Sequence, residues 1–162
     1  MTIRFGIGYD AHRLVEGAPL VLGGVIVPAE RGLEGHSDGD VAAHAIIDAL
    51  LGAAALGDIG SHFPPNDPSV PKGVSSMALL ERTASLLREA GWRAANVDAT
   101  IVLQRPRLAE HLPAMREAVA QALGVDVSAV SVKATTEDGL GFTGAGEGAA
   151  AMAVASITDE TP

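Results

Sequence analysis

The stretch DVAAHAIIDALLGAAAL, Asp40–Leu56, decides the fold class. It is apolar on nearly every side at helical spacing, so it reads as a buried helix rather than a surface one. Ser37, Asp38 and Asp40 precede it, and each can cap its N-terminus. Its most apolar run, ALLGAAALG, falls far short of the ~20 residues that a membrane span needs. Its two polar positions after Asp40, His44 and Asp48, stand four residues apart and therefore share a face.

Upstream, Ile3–Leu14 reads as a strand. In it Asp10 and His12 point to one side, and Tyr9 and Ala11 to the other. PLVLGGVIVP reads as a hairpin turning at Gly23–Gly24, and RGLEGHSDGD as a loop. Downstream, GDIGSHFPPNDPSVPKG is a long loop, a kind of connection usually kept for function. SSMALLERTASLLREAG is an amphipathic helix with serine caps, and WRAANVDATIVLQ a strand. LAEHLPAMREAVAQALG is a helix stopping at Gly124, and Pro113 suggests that it starts no earlier than Leu112. AVSVKATT and AAAMAVASI are strands, with the glycine-rich bend GLGFTGAGEG between them. The order predicts a single α+β domain over residues 1–162, a sheet with helices packed on one face.

Composition narrows the function. Hydrophobic residues make up 48% of the 162 and aromatic residues 3%, so Ala, Val, Leu and Ile must fill the core, with 19 glycines allowing close backbone contact. The absence of cysteine excludes disulfides, thiolate metal sites and a cysteine nucleophile. MTIRFGIGYD does not read as a signal peptide, so a cytoplasmic protein is expected, with no membrane partner. A net charge of −9 argues against a nucleic-acid partner. An anionic substrate would need a metal or a local cluster of donors.

Asp10, His12 and His44 supply such a group. A lone histidine in an apolar helix is most often a core residue. Asp10 and His12 on one strand face change that reading, because Asp, His and His leave a fourth position open, as catalytic zinc does. Asp48 is the expected partner of His44 on the side away from the metal. GHSDGD and GDIG are either anion sites or ordinary capped loops. Gly139, Gly141 and Gly144 match the dinucleotide spacing, but a strand follows them, so close backbone packing, possible between subunits, is the better reading. QRPR and KATTED, with Arg105, Arg107 and Lys133, together offer basic side chains and hydroxyls to phosphate.

In GYDAHRL, HSDGDVAAHAIIDALLGAAALGDIG, NVDATIV, VSVKATT and GLGFTGAGEG, the chain resembles the 2-C-methyl-D-erythritol 2,4-cyclodiphosphate synthases over essentially its whole length. The resemblance implies a four-stranded mixed sheet and a homotrimer with sites at subunit interfaces. It also implies a nucleotide substrate, 4-diphosphocytidyl-2-C-methyl-D-erythritol 2-phosphate, cyclised with release of CMP. By resemblance, Asp10, His12 and His44 hold Zn2+, and Asp138 serves Mg2+ or Mn2+ on the diphosphate. His36 and Thr136 match the catalytic positions, and Ser37 a phosphate contact. Asp58, Ile59, Gly60, Phe63 and Asp67 match the sugar side of the substrate site. Leu103, Arg105, Pro106, Arg107, Ala134, Thr135, Glu137 and Phe142 match its nucleotide side.

The chain departs from the family's pattern at three places. Phe63-Pro64-Pro65-Asn66-Asp67 lacks the family's first aspartate, Thr135-Thr136-Glu137-Asp138 replaces three threonines and an acid, and Ala145 stands where an arginine usually faces the central channel. Counting back from GLGF puts Asp138 at the metal position. Strand alternation would place it with Thr136 and turn Glu137 away. Two other readings share the same ligands: a zinc-dependent phosphohydrolase, and a trimeric binding protein with a structural metal.

Overall fold

A computed structural model describes residues 1–159. Its elements are β1 (Ile3–Glu16), β2 (Leu20–Leu22), β3 (Val25–Val27), β4 (Arg31–Leu33), α1 (Val41–Ala53), α2 (Ile59–His62), α3 (Ser76–Glu89), β5 (Arg93–Val102), α4 (Leu112–Leu123), β6 (Val130–Thr135), α5 (Gly141–Gly144) and β7 (Gly148–Thr158). The main sheet has five strands in the order β4-β1-β7-β5-β6, not the four expected. The extra strand is β4, three residues inside the segment read as a loop. It pairs with the far end of β1, Leu14 opposite Leu33. A run as short as Arg-Gly-Leu carries no period-2 signal of its own. Only β5 and β6 pair in parallel, as the crossover through α4 allows; the other neighbours are antiparallel.

The two sides of the sheet differ. On the inner side β7 contributes Ala149, Ala151, Ala153 and Ala155, and β5 contributes Val97, Ala99 and Ile101, all buried. On the outer side Phe5, Ile7, Tyr9, Met152 and Val154 are exposed. The inner-side alanines of the last strand therefore pack within the chain. Gly144 is likewise tight against Gly139 in its own loop.

Helix α1 lies directly on the inner side. A Cβ on Gly8 would stand 1.8 Å from the Ala45 carbonyl oxygen, and one on Gly6 would stand 2.0 Å from that of Ala49. The helix backbone thus fills the space that side chains would take, which is how so few aromatic residues still give a close-packed core. The hairpin forms as read. Gly23 and Gly24 both have positive φ, 55° and 77°, the combination that a tight two-residue turn requires.

The buried Asp40 carboxylate ties that turn to α1. It accepts from Gly23 N (2.9 Å) and Gly24 N (2.7 Å) across the chain, and from Ala42 N and Ala43 N (both 3.1 Å) as the N-cap. Helix α3 starts differently from the sequence reading: Ser75 makes no side-chain cap bond, and Asp38 accepts from Ser76 N at 2.9 Å instead.

If the Gly8 contact sets the spacing between α1 and the sheet, Gly8→Ala must move backbone and not merely a side chain. Its unfolding free energy by chemical denaturation should fall by about 3 kcal/mol or more, the upper end of overpacking costs.

Candidate metal centre

Asp10 and His12 alternate with exposed neighbours on β1 and face α1. His44 sits one turn into α1 and comes down onto them. Asp10 Oδ2 is 2.9 Å from both His12 Nε2 and His44 Nδ1, and the two ring nitrogens are 3.2 Å apart. The three residues are the metal-competent cluster of histidines and acids among the described residues. Three ligand atoms at this spacing suit a cation bound at about 2.0–2.2 Å from each.

The electrostatics agree. Burial would raise the Asp10 carboxyl, but hydrogen bonds from the His12 and His44 rings outweigh it and lower the pKa to about 2. The same Asp10 bond raises His12 above its ordinary 6.5, against the opposing effect of burial. The aspartate is ionised at neutral pH, and the donor set of one carboxylate and two imidazoles suits a divalent cation.

The partner behind His44 is not Asp48. His44 Nε2 lies 2.9 Å from Ser76 Oγ and 3.0 Å from Ser37 Oγ. Asp48 instead accepts from Ile59 N at 2.8 Å and anchors α2. That short helix lies within the segment read as loop, and Asp58 caps it through Ser61 N at 2.8 Å. Asp58, Ile59 and Gly60 are thus held beside the C-terminal half of α1. His36 lies in the loop before α1, with its Nε2 2.8 Å from the Val70 carbonyl oxygen. Phe63 is buried under the Arg82 guanidinium, 4.7 Å from its ring centroid, and Asp67 caps the turn at Ser69.

The remaining site residues gather elsewhere. Arg105, Pro106, Arg107 and Thr136 line a cleft of about 870 Å³ together with Arg31 and Glu30, which sequence reasoning did not single out. No residue of the triad lines it. Leu103 is buried, and its N–H donates to the Thr135 carbonyl. Ala134 and Thr135 end β6, exposed. Lys133 does not join the cleft: it pairs with Asp98 at 2.5 Å.

Because β6 stops at Thr135, strand alternation does not govern Thr136–Asp138, and Asp138 has a positive φ of 52°. The two acids still separate. Both are exposed, but Glu137 accepts from the buried Thr143 hydroxyl, whereas Asp138 accepts from Thr136 Oγ1 at 3.1 Å. Phe142, in α5, is partly exposed. A second cavity of about 600 Å³, lined by Trp92, Arg93 and Leu123, lies at the opposite end of β5 and β7 and contains no residue of the triad.

Known proteins place this arrangement. The YgbB family profile matches residues 3–158. The chain belongs to that family. A YgbB-family relative from Trichlorobacter lovleyi, a 2-C-methyl-D-erythritol 2,4-cyclodiphosphate synthase, is 60% identical, with 94% of this chain and 96% of that protein covered. A solved 2C-methyl-D-erythritol-2,4-cyclodiphosphate synthase in its CDP-bound form superposes with a TM-score of 0.87 at 35% identity, covering 96% of this chain and all of that one. The bifunctional IspDF of Campylobacter jejuni superposes at 0.91 and 41% identity. This chain covers 42% of that longer protein, with 96% of its own length matched.

A cation at the triad must displace the proton from His12. Since Asp10 raises the His12 pKa, that competition begins at a higher pH than for an ordinary histidine. Zinc affinity measured by competition with a chelator should fall as pH drops through a value above 6.5, by roughly tenfold per unit for one competing proton. Affinity that stays flat down to pH 6 would contradict the role given to His12.

Proposed function

We infer that the protein converts 4-diphosphocytidyl-2-C-methyl-D-erythritol 2-phosphate into 2-C-methyl-D-erythritol 2,4-cyclodiphosphate and CMP, a step of non-mevalonate isoprenoid synthesis. The observation that carries this is 60% sequence identity to a synthase of that name over 94% of the chain. The complete Asp10–His12–His44 triad supports it.

The 2-phosphate oxygen forms a bond to the β-phosphorus of the same molecule. The bond from that phosphorus to the CMP oxygen breaks, and CMP leaves with the electron pair. Nucleophile and electrophile are tethered, so the protein has to fold the substrate and balance charge. That suits a chain with no cysteine.

Asp10, His12 and His44 would hold Zn2+, and Asp138 would meet Mg2+ or Mn2+ on the diphosphate; these ions supply Lewis-acid stabilisation of phosphoryl charge. Ser37 and His36 bind phosphate oxygens beside the triad. With Nε2–H donated to the Val70 carbonyl, His36 presents Nδ1 to a phosphate, and it donates from that atom only in the doubly protonated form. Asp58, Ile59, Gly60, Phe63 and Asp67 enclose the sugar. Arg105, Pro106, Arg107, Thr136 and the residues around them hold the nucleotide, with Thr136 donating to the phosphoryl group in flight.

The triad and the nucleotide cleft belong to neighbouring copies of a homotrimer in this reading. Two observations support it: the cleft contains no triad residue, and the outer side of the sheet is a contiguous apolar surface. In this reading the enzyme works in the cytoplasm, and its described residues form one domain.

Phosphorus NMR of the products tests the reaction. A cyclic diphosphate plus CMP is expected, whereas CMP with a linear phosphate would mean hydrolysis. Sedimentation equilibrium of the same sample should give three copies, and an active monomer would exclude the shared site.

The two acids give a further outcome. Asp138→Ala should raise the magnesium concentration for half-maximal rate and leave zinc content unchanged. Glu137→Ala should leave magnesium dependence alone but lower stability by about 1–3 kcal/mol, because the buried Thr143 hydroxyl loses its acceptor. The reverse ranking in a magnesium titration would move the second metal to Glu137.

A further inference from the structure

The start of α3 reaches the metal centre from behind. Ser76 is fully buried, and its side chain lies between His44 and Asp38. Its Oγ is 2.9 Å from His44 Nε2 and within hydrogen-bond reach of Asp38 Oδ1, while its backbone N–H donates to Asp38 Oδ2 at 2.9 Å. Asp38 is held in turn by Asp40 N–H at 3.2 Å and by its own N–H on the Val74 carbonyl at 3.1 Å.

Hydrogen-bond chemistry gives this chain a direction. An ionised carboxylate only accepts, so the single Ser76 hydroxyl proton goes to Asp38. The Ser76 oxygen then faces His44 Nε2 with a lone pair, so once a cation displaces the Nδ1–H that otherwise serves Asp10, the ring proton at Nε2 meets an acceptor. A neutral imidazole protonated at Nε2 has its free lone pair on Nδ1, the atom beside Asp10 and His12. Ser37 Oγ, 3.0 Å from the same Nε2, is the second hydroxyl at that nitrogen; unlike Ser76, its proton is not committed to a carboxylate, so Ser76 is the hydroxyl that sets the direction.

We propose that Ser76 and Asp38 are positioning residues for the metal: they form a relay, His44 Nε2–H to Ser76 Oγ and Ser76 O–H to Asp38, that fixes the His44 ring and its Nε2–H tautomer so that Nδ1 ligates. The proposal rests on the reading of Asp10, His12 and His44 as the metal site. It assigns to α3, which contributes no ligand, a share in metal affinity. A ligating histidine whose other nitrogen is bonded toward a carboxylate is both better oriented and more basic, and losing such a partner typically weakens metal binding 10–100-fold.

The test uses the full-length protein and two metals. Zinc affinity is measured by chelator competition, and the cobalt-substituted protein is followed by its visible absorption. Ser76→Ala should weaken zinc binding roughly 10–100-fold and alter the cobalt bands, and Asp38→Asn should weaken it less, because an amide oxygen still accepts the hydroxyl without the charge. Circular dichroism of each variant reports its folding.

A readout that needs no variant accompanies this. Long-range proton–nitrogen NMR of the nitrogen-15-labelled, zinc-loaded wild-type protein should find His44 protonated at Nε2. A proton on Nδ1 would overturn the relay, as would a folded Ser76→Ala protein with zinc affinity within twofold of wild type. His12→Ala in the same assay separates the layers. If it loses zinc while Ser76→Ala does not, the relay alone is wrong. If it too keeps full affinity, the metal site itself has been misassigned.

Discussion

Everything in the centre depends on how near α1 can come to β1. Gly6 and Gly8 present no side chain, and the carbonyls of Ala45 and Ala49 take the vacated space. A helix held at ordinary distance by valine or leucine at those positions would leave His44 well above the strand. Asp10 and His12 follow the two glycines with the same parity, so the surface that admits the helix also carries two of the ligands. The alanine face of β7 continues this floor, with Gly8 opposite Ala153 and Asp10 opposite Ala151. Close packing and chemistry are therefore one geometric condition rather than two.

A second layer keeps the ligands oriented. His44 is held from outside by hydroxyls of Ser37 and Ser76, which belong to the loop before α1 and to α3. The acid expected there, Asp48, serves α2 instead and so steadies the segment Asp58–Gly60. Two carboxylates on the same chain thus have separate tasks: Asp38 supports the ligand and Asp48 supports the neighbouring loop.

Much of this was legible in the sequence where the signal is local. The all-round apolar pattern of Asp40–Leu56 gave a buried helix, Gly23–Gly24 gave the hairpin, and the parity of Asp10 and His12 put them on one face. What escaped has partners far along the chain. The strand β4 is three residues long and exists only because β1 lies beside it. Ser76 looks like an ordinary cap, and its bonds to Asp38 and His44 span 38 and 32 residues. The end of β6 at Thr135 also left no mark, since Thr136 and Glu137 read on as strand. The inward-facing alanines of the last strand show a related limit of composition: it says that close approach occurs, and only the fold shows that α1 is what approaches them.

The Asp40 carboxylate has a consequence for motion. It accepts from four backbone amides, two of them in a surface turn and two at the helix start, from a position without solvent exposure. Releasing the turn would strand a buried charge with half its partners gone, so the tip of the hairpin cannot fray independently. The turn and the first turn of α1 open together or stay shut, as one cooperative unit. An apparently peripheral hairpin is in this sense part of the same rigid body as the helix that carries His44.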